Sequence, residues 1–592
     1  MENFNLKDRK LSVSGLRWNL KENLDNNFNE IKKVKNLPEV LKSILYKRNL
    51  FEMNIEDYLS PSLKKLFPNP YSLHSMDIAI KIFTKAILRK EKIGILGDYD
   101  VDGASSSALI FNYLRELKLY SVEVYIPDRE IDGYGFGENV LNYFIEKKVN
   151  IILCLDCATN DMESIKEAKE MGLKVVIIDH HEQNIANYSD ALINPKKNID
   201  ESGLNYLATV GLSFLFVVAL NSSLEKENYF NKKCVKPNIK KYLDLVALGT
   251  VCDMVPLKKV NRLFVKKGIQ EINKKKNIGI SSLIEKLKIK RKLSVSDISF
   301  YLGPCINAPG RIGDSSLGFR LLSTNYKPLI LETADTLLRN NRERKTLEDI
   351  ACTQAMKKIP GIKKEGDQAI RKYILVYDSC WHSGIIGIVA SKLTKKFNIP
   401  SIVVSIKKKK SKGSIRSIQG VNANDIISIL KKNKCITQGG GHSLAGGFSI
   451  NEICLEKFTL TLEKYFSDIS IKRKETLEID TVIDLQSINN SLIKSIKDIG
   501  PFGQENEEPL VVLSNVKPTF FKKVGKLEKH IFCVFEDIYG KKIAGIAFNH
   551  ANSVIGNAIL MERTMNIAGR LETYNSKNRN APQIIIEDIL IL

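Results

Sequence analysis

The stretch KIGILGDYDVDGAS, residues 92–105, places three aspartates directly after an apolar run. Asp98, Asp100 and Asp102 fall where a strand is predicted to end and a helix to begin. Carboxylates this close repel one another when they are ionised, and a helix start needs at most one of them as a cap. The stretch therefore predicts a positive partner, bound from outside, at this end of the strand.

Alternation between apolar runs and amphipathic segments continues along the chain after this stretch. The runs begin near Lys92, Ser121, Asn150 and Lys174, which is a repeat of roughly 25 to 30 residues, as expected of βα units. We therefore predict a doubly wound parallel sheet. Sheets of this kind bind ligands beyond the carboxyl ends of their strands.

More acidic and imidazole side chains follow the later strands of this predicted sheet. IILCLDCATN carries Asp156, VVIIDHHEQ carries Asp179, His180 and His181, and the predicted helix KKYLDLVALGTVCDMVPL carries Asp253 near its end. Gathered at one rim, these groups cannot all stay ionised without cations. Oxygen ligands with a minority of nitrogen favour Mn²⁺ or Mg²⁺ over zinc. Two such ions, roughly 3.5 to 4 Å apart, suit a phosphoryl displacement.

The remaining sequence predicts further domains. A second α/β unit is indicated by the strands YILVYDS and PSIVVSI around the helix IIGIVASKLTKKF, and a small β-barrel of the OB type by short alternating strands such as HIFCVFED and QIIIEDILIL. The predicted boundaries are an N-terminal helical region at 1–75, the first α/β domain at 76–260, a helical connector at 261–350, the second α/β domain at 351–470 and the barrel at 471–592.

Composition favours a soluble protein with a polyanionic partner. The 592 residues carry a formal net charge of +23 and a sequence pI near 9.3, which favours nucleic acid, although lysine on solvated faces alone explains such a charge. The only CxxC, Cys154 to Cys157, lacks the second pair that a zinc site needs. The N-terminus lacks an apolar targeting segment, so we expect a cytoplasmic protein without membrane association.

Nine short motifs carry a resemblance to a known family. GDYDVDG, DCATN, DHH and LGTVCDMVPL, in this order, resemble the four motifs of the DHH phosphoesterase superfamily. NAPGR, WHSGIIGIVASKL, GSIRS, GGGHSLAGG and PFGQENEEP are similar to the single-stranded-DNA-specific exonucleases of bacteria within that superfamily. The resemblance covers nearly the whole chain. It implies a DHH domain, a DHHA1-like second domain and a terminal OB-like domain.

The resemblance also implies a role for individual residues of the first domain. Two metal ions are expected on Asp100, Asp102, Asp156, His180 and Asp253, with Asp156 bridging them. His181 is expected beside the scissile phosphate, and Asp98 is expected to be either a ligand or a partner of one. The implied catalytic residues are thus His181, Asp156 and Asp98, and water activated by the ions attacks the phosphorus.

Phosphate recognition is implied for the connector, the second domain and one loop of the first. Arg129 and Arg311 match arginines that meet the DNA backbone, while Ser414 and Arg416 match a pocket for the 5′ phosphate. Guanidinium grips phosphate in a bidentate manner, which suits this role. GGGHSLAGG supplies unhindered backbone amides at Gly440 and Gly441 and a side-chain donor at His442. Taken singly, each arginine is better explained as a surface salt bridge.

The implied function is exonucleolytic digestion of single-stranded DNA from 5′ to 3′, in recombination and repair, including mismatch repair and the processing of stalled forks. The implied partners are single-stranded DNA, a single-strand-binding protein and a helicase, with the enzyme acting as a monomer. Two alternatives stay open: a phosphodiesterase for oligoribonucleotides or cyclic dinucleotides, and a non-catalytic replication scaffold. The chain departs from the family pattern at Ala158, Cys252, Pro309 and Ser383, and none of these changes removes a ligand.

Overall fold

The computed structural model of the protein describes residues 10–24, 31–34, 37–50, 53–183, 185–359, 372–407, 411–451, 454–469, 476–576 and 579–592. Their contacts form two compact units. Unit 1 comprises Met1–Asn69, Met254–Lys267 and Lys474–Leu592, and unit 2 comprises Pro70–Asp253 and Gly268–Arg473. Among the described residues, no helix is both long and apolar enough to cross a membrane.

Strands and helices alternate through both units. The strands are β1 Arg17–Leu20, β2 Ile93–Gly97, β3 Val122–Tyr125, β4 Ile151–Leu155, β5 Lys174–Ile178, β6 Ala191–Ile193, β7 Ile374–Asp378, β8 Ser401–Ser405, β9 Ser411–Arg416, β10 Gln438–His442, β11 Ala445–Ile450, β12 Thr476–Ile479, β13 Thr481–Ile483, β14 Val511–Val524, β15 His530–Glu536, β16 Lys542–Ala547, β17 Met565–Ser576 and β18 Arg579–Ile591. The α-helices are α1 Glu39–Tyr46, α2 Ile55–Leu59, α3 Leu63–Leu66, α4 Met76–Leu88, α5 Val101–Glu116, α6 Glu138–Glu146, α7 Met162–Glu170, α8 Thr209–Lys226, α9 Leu243–Cys252, α10 Lys259–Asn273, α11 Ile278–Lys286, α12 Val295–Asp297, α13 Gly303–Asn307, α14 Pro309–Ile312, α15 Leu317–Ser323, α16 Lys327–Lys358, α17 Ile386–Phe397, α18 Ala423–Lys432, α19 Leu455–Ser467, α20 Asn490–Asp498 and α21 Val554–Leu560.

Unit 2 begins with the predicted parallel sheet. Its strand order is β3-β2-β4-β5-β6, and every pair is parallel. Every residue of β2 and β4 is buried, which explains why these strands are continuous apolar runs rather than alternating ones. The sheet grows outward in two directions from β2 and β4, so the switch point where such sheets bind ligands lies between the aspartates of residues 98–102 and Asp156. The doubly wound prediction is confirmed, while the three-residue edge strand β6 was not predicted.

Tight packing explains the glycines around the first aspartate motif. A Cβ atom on Gly97 would lie 2.0 Å from the Ser107 Oγ, and one on Gly103 would lie 2.5 Å from the Asp98 carbonyl oxygen. The chain therefore turns from β2 into α5 with no space for a side chain at either position. This turn is what brings Asp98, Asp100 and Asp102 to the same end of the sheet.

A second α/β sheet completes unit 2, as predicted. The order is β10-β11-β9-β8-β7, with β7 and β8 parallel and the other pairs antiparallel. One core of this part packs Trp381, Val389 and Val403 together. The segment predicted as a helical connector, residues 261–350, overlaps the helices from α10 to α16, of which α16 is 32 residues long.

Unit 1 contains the predicted barrel. The strands β14, β15, β16, β18 and β17 are neighbours in that order, and β14 also pairs with β17, which closes the barrel. The helical prediction for the N-terminal residues is wrong for Arg17–Leu20, because this segment is a strand that pairs with β12 in parallel. The Trp18 Nε1 donates to the Asp588 carboxylate at 2.9 Å. The N-terminal segment is thus joined to the C-terminal residues, which local sequence cannot reveal.

The four predicted boundaries between the five domains stay predictions. The boundary at 470 falls within residues 470–475, which lie outside the described part of the chain.

Candidate metal centre

Seven of the predicted residues meet at the carboxyl end of the first sheet. Three overlapping groups each bring their ligand atoms within 4.8 Å of one another: Asp98, Asp100 and Asp156; Asp156, His180 and His181; and Asp102, His180 and Asp253. The Nε2 of His180 lies 3.4 Å from the Asp156 carboxylate and 3.5 Å from that of Asp253. Asp156 and His180 each belong to two groups, so the seven side chains form one continuous cluster.

Helix ends and neighbouring hydroxyls orient the cluster. Asp100 caps α5 by accepting the Gly103 N–H at 3.0 Å. Asp102 accepts the N–H groups of Thr209 and Val210, at 2.7 and 3.0 Å, at the start of α8, where the helix dipole favours negative charge. The hydroxyl of Thr209 donates to Asp156 at 2.8 Å. These bonds point the carboxylates of different elements toward one place.

The backbone after β4 adopts a left-handed conformation. Asp156 has φ of +65° and Ala158 has φ of +73°, a region that aspartate tolerates and that alanine rarely adopts. Ala158 stands where the family pattern has glycine, and its side chain is buried. The structure thus explains why glycine is preferred at this position and indicates local strain in this chain.

Burial and mutual repulsion act on the carboxylates of the cluster. Burial, together with the charges of neighbouring aspartates, raises the pKa of Asp98, Asp156 and Asp253 well above the ordinary value. Burial and the charge of Asp100 also raise the pKa of Asp102 to about 7, although the two backbone N–H groups oppose this shift. The positive charges of the described residues are therefore too few for these acids to ionise together.

The donor set fits divalent cations that prefer oxygen. The Oδ2 atom of Asp253 is buried and accepts no hydrogen bond from the described residues, and such an orphaned carboxylate oxygen has a partner once a cation binds. Carboxylate oxygens with one or two imidazole nitrogens suit Mn²⁺ or Mg²⁺. The predicted ligand set of Asp100, Asp102, Asp156, His180 and Asp253 is therefore brought together by the structure, with Asp98 beside it.

The surroundings of the two adjacent histidines shift their pKa values in opposite directions. Burial lowers the pKa of His180 to about 3, so its ring is neutral and can offer a lone pair to a metal. Burial alone would lower the pKa of His181 as well, but the hydrogen bond to Asp179 and the charge of that carboxylate raise it to about 9. His181 is therefore a cation at neutral pH, and its Nδ1 lies 2.7 Å from the Asp179 carboxylate.

Three residues that support His181 were absent from the predicted site. Asp179 was expected at the rim but without a role, and it anchors the His181 ring. The Tyr134 hydroxyl donates to the carbonyl oxygen of Asp156 at 2.8 Å and lies 3.3 Å from the His181 Nδ1. The Asn194 side chain donates to the His181 carbonyl oxygen at 2.8 Å. Tyr134 and Asn194 lie outside the quoted motifs, and only the folded chain shows their contacts with Asp156 and His181.

Arg129 and Arg311 line a cavity of about 220 Å³ in the same unit, which we call the arginine pocket. The pocket is formed by Asp128–Glu130, Pro309–Gly313, Ser315 and His382. The Arg129 guanidinium lies 5.6 Å from the centre of the Tyr99 ring. Burial, followed by the charge of Arg129 and other arginines, lowers the pKa of Arg311 to about 10. A bound anion would relieve this repulsion.

Ser414 and Arg416 meet the start of α17. The Arg416 Nε donates to the Gly387 carbonyl oxygen at 3.4 Å. A Cβ atom on Gly387 would lie 3.2 Å from the Ser414 Oγ and 3.7 Å from the Arg416 Nη2. A hydroxyl, a guanidinium and the N-terminal turn of a helix therefore lie close together, and this combination can bind a phosphate.

The glycine-rich motif forms an exposed hairpin at the edge of the second sheet. Gly440 and Gly441 lie on the edge strand β10, and a Cβ atom on Gly440 would meet nothing within 4 Å. His442, on the same strand, stacks on His181 with ring centroids 6.3 Å apart and an interplanar angle of 19°. His442 thus reaches the cluster, whereas the two glycines offer accessible backbone.

Comparison with family models agrees with the three parts of the structure. Residues 92–250 match the N-terminal domain of the DHH family, residues 370–468 match the DHHA1 domain, and residues 479–588 match the RecJ OB domain.

Curated relatives match almost the whole chain. The single-stranded-DNA-specific exonuclease RecJ of Salmonella typhimurium is 30% identical over 543 residues, covering 90% of this chain and 92% of that protein. RecJ of Escherichia coli is 29% identical over 568 residues, covering 93% and 96%.

Solved structures show the same fold. RecJ of Thermus thermophilus in complex with Mn²⁺ superposes with a TM-score of 0.78 at 22% identity, covering 98% of this chain and 80% of that chain. An exonuclease RecJ bound to manganese has a TM-score of 0.57 at 26% identity, covering 67% of this chain and 96% of that chain. With an acid and imidazole cluster at the expected sheet edge and relatives that match from end to end, the chain belongs to the RecJ family of DHH proteins.

Proposed function

We propose that the chain is an exonuclease that hydrolyses single-stranded DNA from 5′ to 3′ with two Mn²⁺ or Mg²⁺ ions. The observation that carries the proposal is the cluster of five aspartates and two histidines in the same compact unit as an arginine-lined cavity. The named activity of the relatives and the manganese and magnesium bound in RecJ structures support it.

The residues divide the work between metal binding and phosphate binding. Asp100, Asp102, Asp156, His180 and Asp253 hold the ions, which supply a nucleophile from water and neutralise the phosphate when they are bound. Asp98 lies beside these ligands, in one group with Asp100 and Asp156.

Positive side chains place the strand. His181 is protonated at neutral pH, because Asp179 raises its pKa to about 9, and it offers a proton and a charge to a phosphate oxygen. Arg129 and Arg311 bind the backbone in the arginine pocket. Ser414 and Arg416 bind the terminal 5′ phosphate, which places the cut next to the 5′ end and gives the enzyme its direction.

The barrel of unit 1 offers a stacking surface for single strands. Phe520, Phe532 and Tyr574 lie on its outside, with ring centroids 6.4 Å apart between the first two and 6.2 Å apart between Phe532 and Tyr574. Phe520 is 50% exposed and Tyr574 is 40% exposed. Lys522 is directly opposite Phe532 in the sheet register. Unpaired bases stack on such aromatic groups while lysines meet the phosphates.

We further propose that the enzyme acts as a monomer in the cytoplasm, in recombination, mismatch repair and the processing of stalled forks. A single-strand-binding protein and a helicase would supply and hold its single-stranded substrate. Membership of the RecJ family supports these proposals. Sedimentation of the purified chain alone and with a single-strand-binding protein tests the two statements about assembly.

The deciding experiment is digestion of labelled oligonucleotides by the full-length chain with manganese. A single strand with a 5′ phosphate should be shortened from its 5′ end, and the matching blunt duplex should resist. Asp156→Ala should abolish digestion and keep strand binding, while the control Asp77→Ala, on an exposed helix face, should digest normally. Shortening from the 3′ end, equal digestion of duplex, or a preference for dinucleotides over long strands would each refute the proposal.

A further inference from the structure

His382 lies in the turn between β7 and α17 and lines the arginine pocket. The turn packs closely against Arg311. Arg311 Nη1 donates to the Gly384 carbonyl oxygen at 3.1 Å, and a Cβ atom on Gly384 would lie 2.1 Å from the Arg311 carbonyl oxygen. The imidazole of His382 is therefore held at a fixed place beside the arginine.

One hydrogen bond fixes the tautomer of this imidazole. The Gly384 N–H donates to the His382 Nδ1 at 3.1 Å. Nδ1 must carry a lone pair in order to accept this bond, so the ring proton resides on Nε2. The imidazole thus presents an N–H donor on the side away from its own turn.

Among the described residues, this donor has no acceptor within hydrogen-bond distance. The nearest carboxylate oxygen, the Glu130 Oε1, is 3.9 Å from Nε2, which is too far for a hydrogen bond. That same oxygen accepts the Ser383 hydroxyl at 2.7 Å. The other acid of the pocket, Asp128, accepts the N–H groups of Glu130 and Ile131 at 2.8 and 3.1 Å. One oxygen of each acid is therefore engaged by another donor, and neither acid accepts a hydrogen bond from the His382 ring.

The arginines of the pocket lack anionic partners too. Within the described parts of the chain, no carboxylate lies within ion-pairing distance of Arg129 or Arg311. Two guanidinium groups and one N–H donor thus share a cavity of about 220 Å³, which has the size and chemistry for a phosphate group.

We propose that His382 is a third phosphate-binding residue of the arginine pocket, donating from Nε2 to an internal phosphate of the bound strand. The inference rests on the proposed nuclease function, because it takes the occupant to be a nucleic-acid phosphate. Neither the composition nor the motif WHSG indicated this role, since the neighbouring Trp381 is buried in the core and the turn reads as structural.

Two substitutions separate the binding role from a structural one. His382→Asn places an amide oxygen where Nδ1 accepts the Gly384 N–H but removes the donor at Nε2. His382→Gln places an amide nitrogen near Nε2 but removes the acceptor for Gly384. If His382 binds phosphate, the Asn variant loses affinity and the Gln variant keeps it. If the residue only supports its turn, the order is reversed.

The assay is fluorescence anisotropy of the full-length chain with a single-stranded oligonucleotide, with EDTA present to prevent digestion. We expect His382→Asn to weaken binding about tenfold, as for one lost hydrogen bond to a charged group, and His382→Gln to bind within about threefold of the unsubstituted chain. Unchanged affinity in both variants, or loss confined to the Gln variant, overturns the proposal.

A scan with neutral methylphosphonate linkages decides the case in which both variants weaken binding. At the linkage that His382 contacts, a neutral methylphosphonate and His382→Asn each weaken binding. Their losses of binding free energy should not add there, because both changes remove the same contact. Additive losses at every linkage overturn the proposal. Digestion with manganese by the unsubstituted chain is measured on the same preparation, so a failure of the nuclease function is distinguished from a failure of this assignment.

Discussion

Manganese affinity should increase with pH because metal binding must displace protons from buried carboxylates. Asp102 is 1% exposed, and burial together with the charge of Asp100 raises its pKa to about 7. Burial lowers the pKa of His180, a proposed ligand, to about 3, so this ring is expected to release no proton. Below about pH 7 we therefore expect affinity to rise at least about tenfold per pH unit.

The size of the effect follows from the two pKa values of Asp102. The difference between the ordinary value of 3.8 and about 7 corresponds to on the order of 4 kcal/mol. Because the folded pKa is higher than the unfolded one, the folded state binds more protons. Without metal, this contribution to the free energy of unfolding is therefore present below about pH 4 and is lost as the pH rises to about 7. A bound cation offsets that loss.

Calorimetric titration with manganese chloride, at about pH 5, 6 and 7 and in buffers of different ionisation enthalpy, measures both affinity and proton release. Asp102→Asn should lower by one the number of protons released when manganese binds. Asp244 is the control, because burial also raises its pKa to about 7 although it belongs to no ligand group. Asp244→Asn should change the pH dependence of unfolding and leave the proton count unaltered. Equal manganese affinity at about pH 5 and 7 would refute the reasoning.

Three further predictions concern other parts of the molecule. Ala158→Gly should raise the free energy of unfolding by about 1 kcal/mol, because φ is +73° there and glycine has no Cβ atom to clash in this conformation. A lower thermal midpoint in this variant would show that Ala158 is not strained. Arg416→Ala should reduce the rate advantage of 5′-phosphorylated over unphosphorylated ends, whereas the exposed Arg115→Ala should not; equal rate ratios in both variants count against the 5′ pocket. Phe532→Ala should weaken single-strand binding about tenfold, as for one lost stacking contact, and unchanged anisotropy titrations would remove it from the DNA surface.

Much of the site could be predicted from local sequence patterns and one rule about parallel sheets. The parallel sheet is visible as buried apolar runs, and the carboxyl ends of its strands must meet at one edge. Asp98, Asp100, Asp102 and Asp156 follow from this rule alone. Their clustering is confirmed. Asp253 joined the prediction from its position at a helix end and from the resemblance to the DHH superfamily.

Residues outside the motifs could not be predicted, because their roles depend on a single contact rather than on a pattern. Tyr134 lies in the loop before α6, and its hydroxyl meets the Asp156 carbonyl oxygen only in the folded chain. The pairing of Trp18 with Asp588, 570 residues apart, joins the two ends of the chain. Neither contact has a periodicity or a spacing that sequence could display.

By itself, the sequence determined the alternation of strands and helices in the first α/β domain and the acidic and imidazole side chains that gather at its sheet edge, since hydrophobic periodicity and side-chain chemistry are local properties. Tertiary structure alone decided the charge on each histidine and the direction of each donor. His180 and His181 are neighbours of one residue type, yet burial keeps the first neutral while Asp179 keeps the second charged. Those differences arise from solvent exclusion and distance, which exist only once the chain has folded.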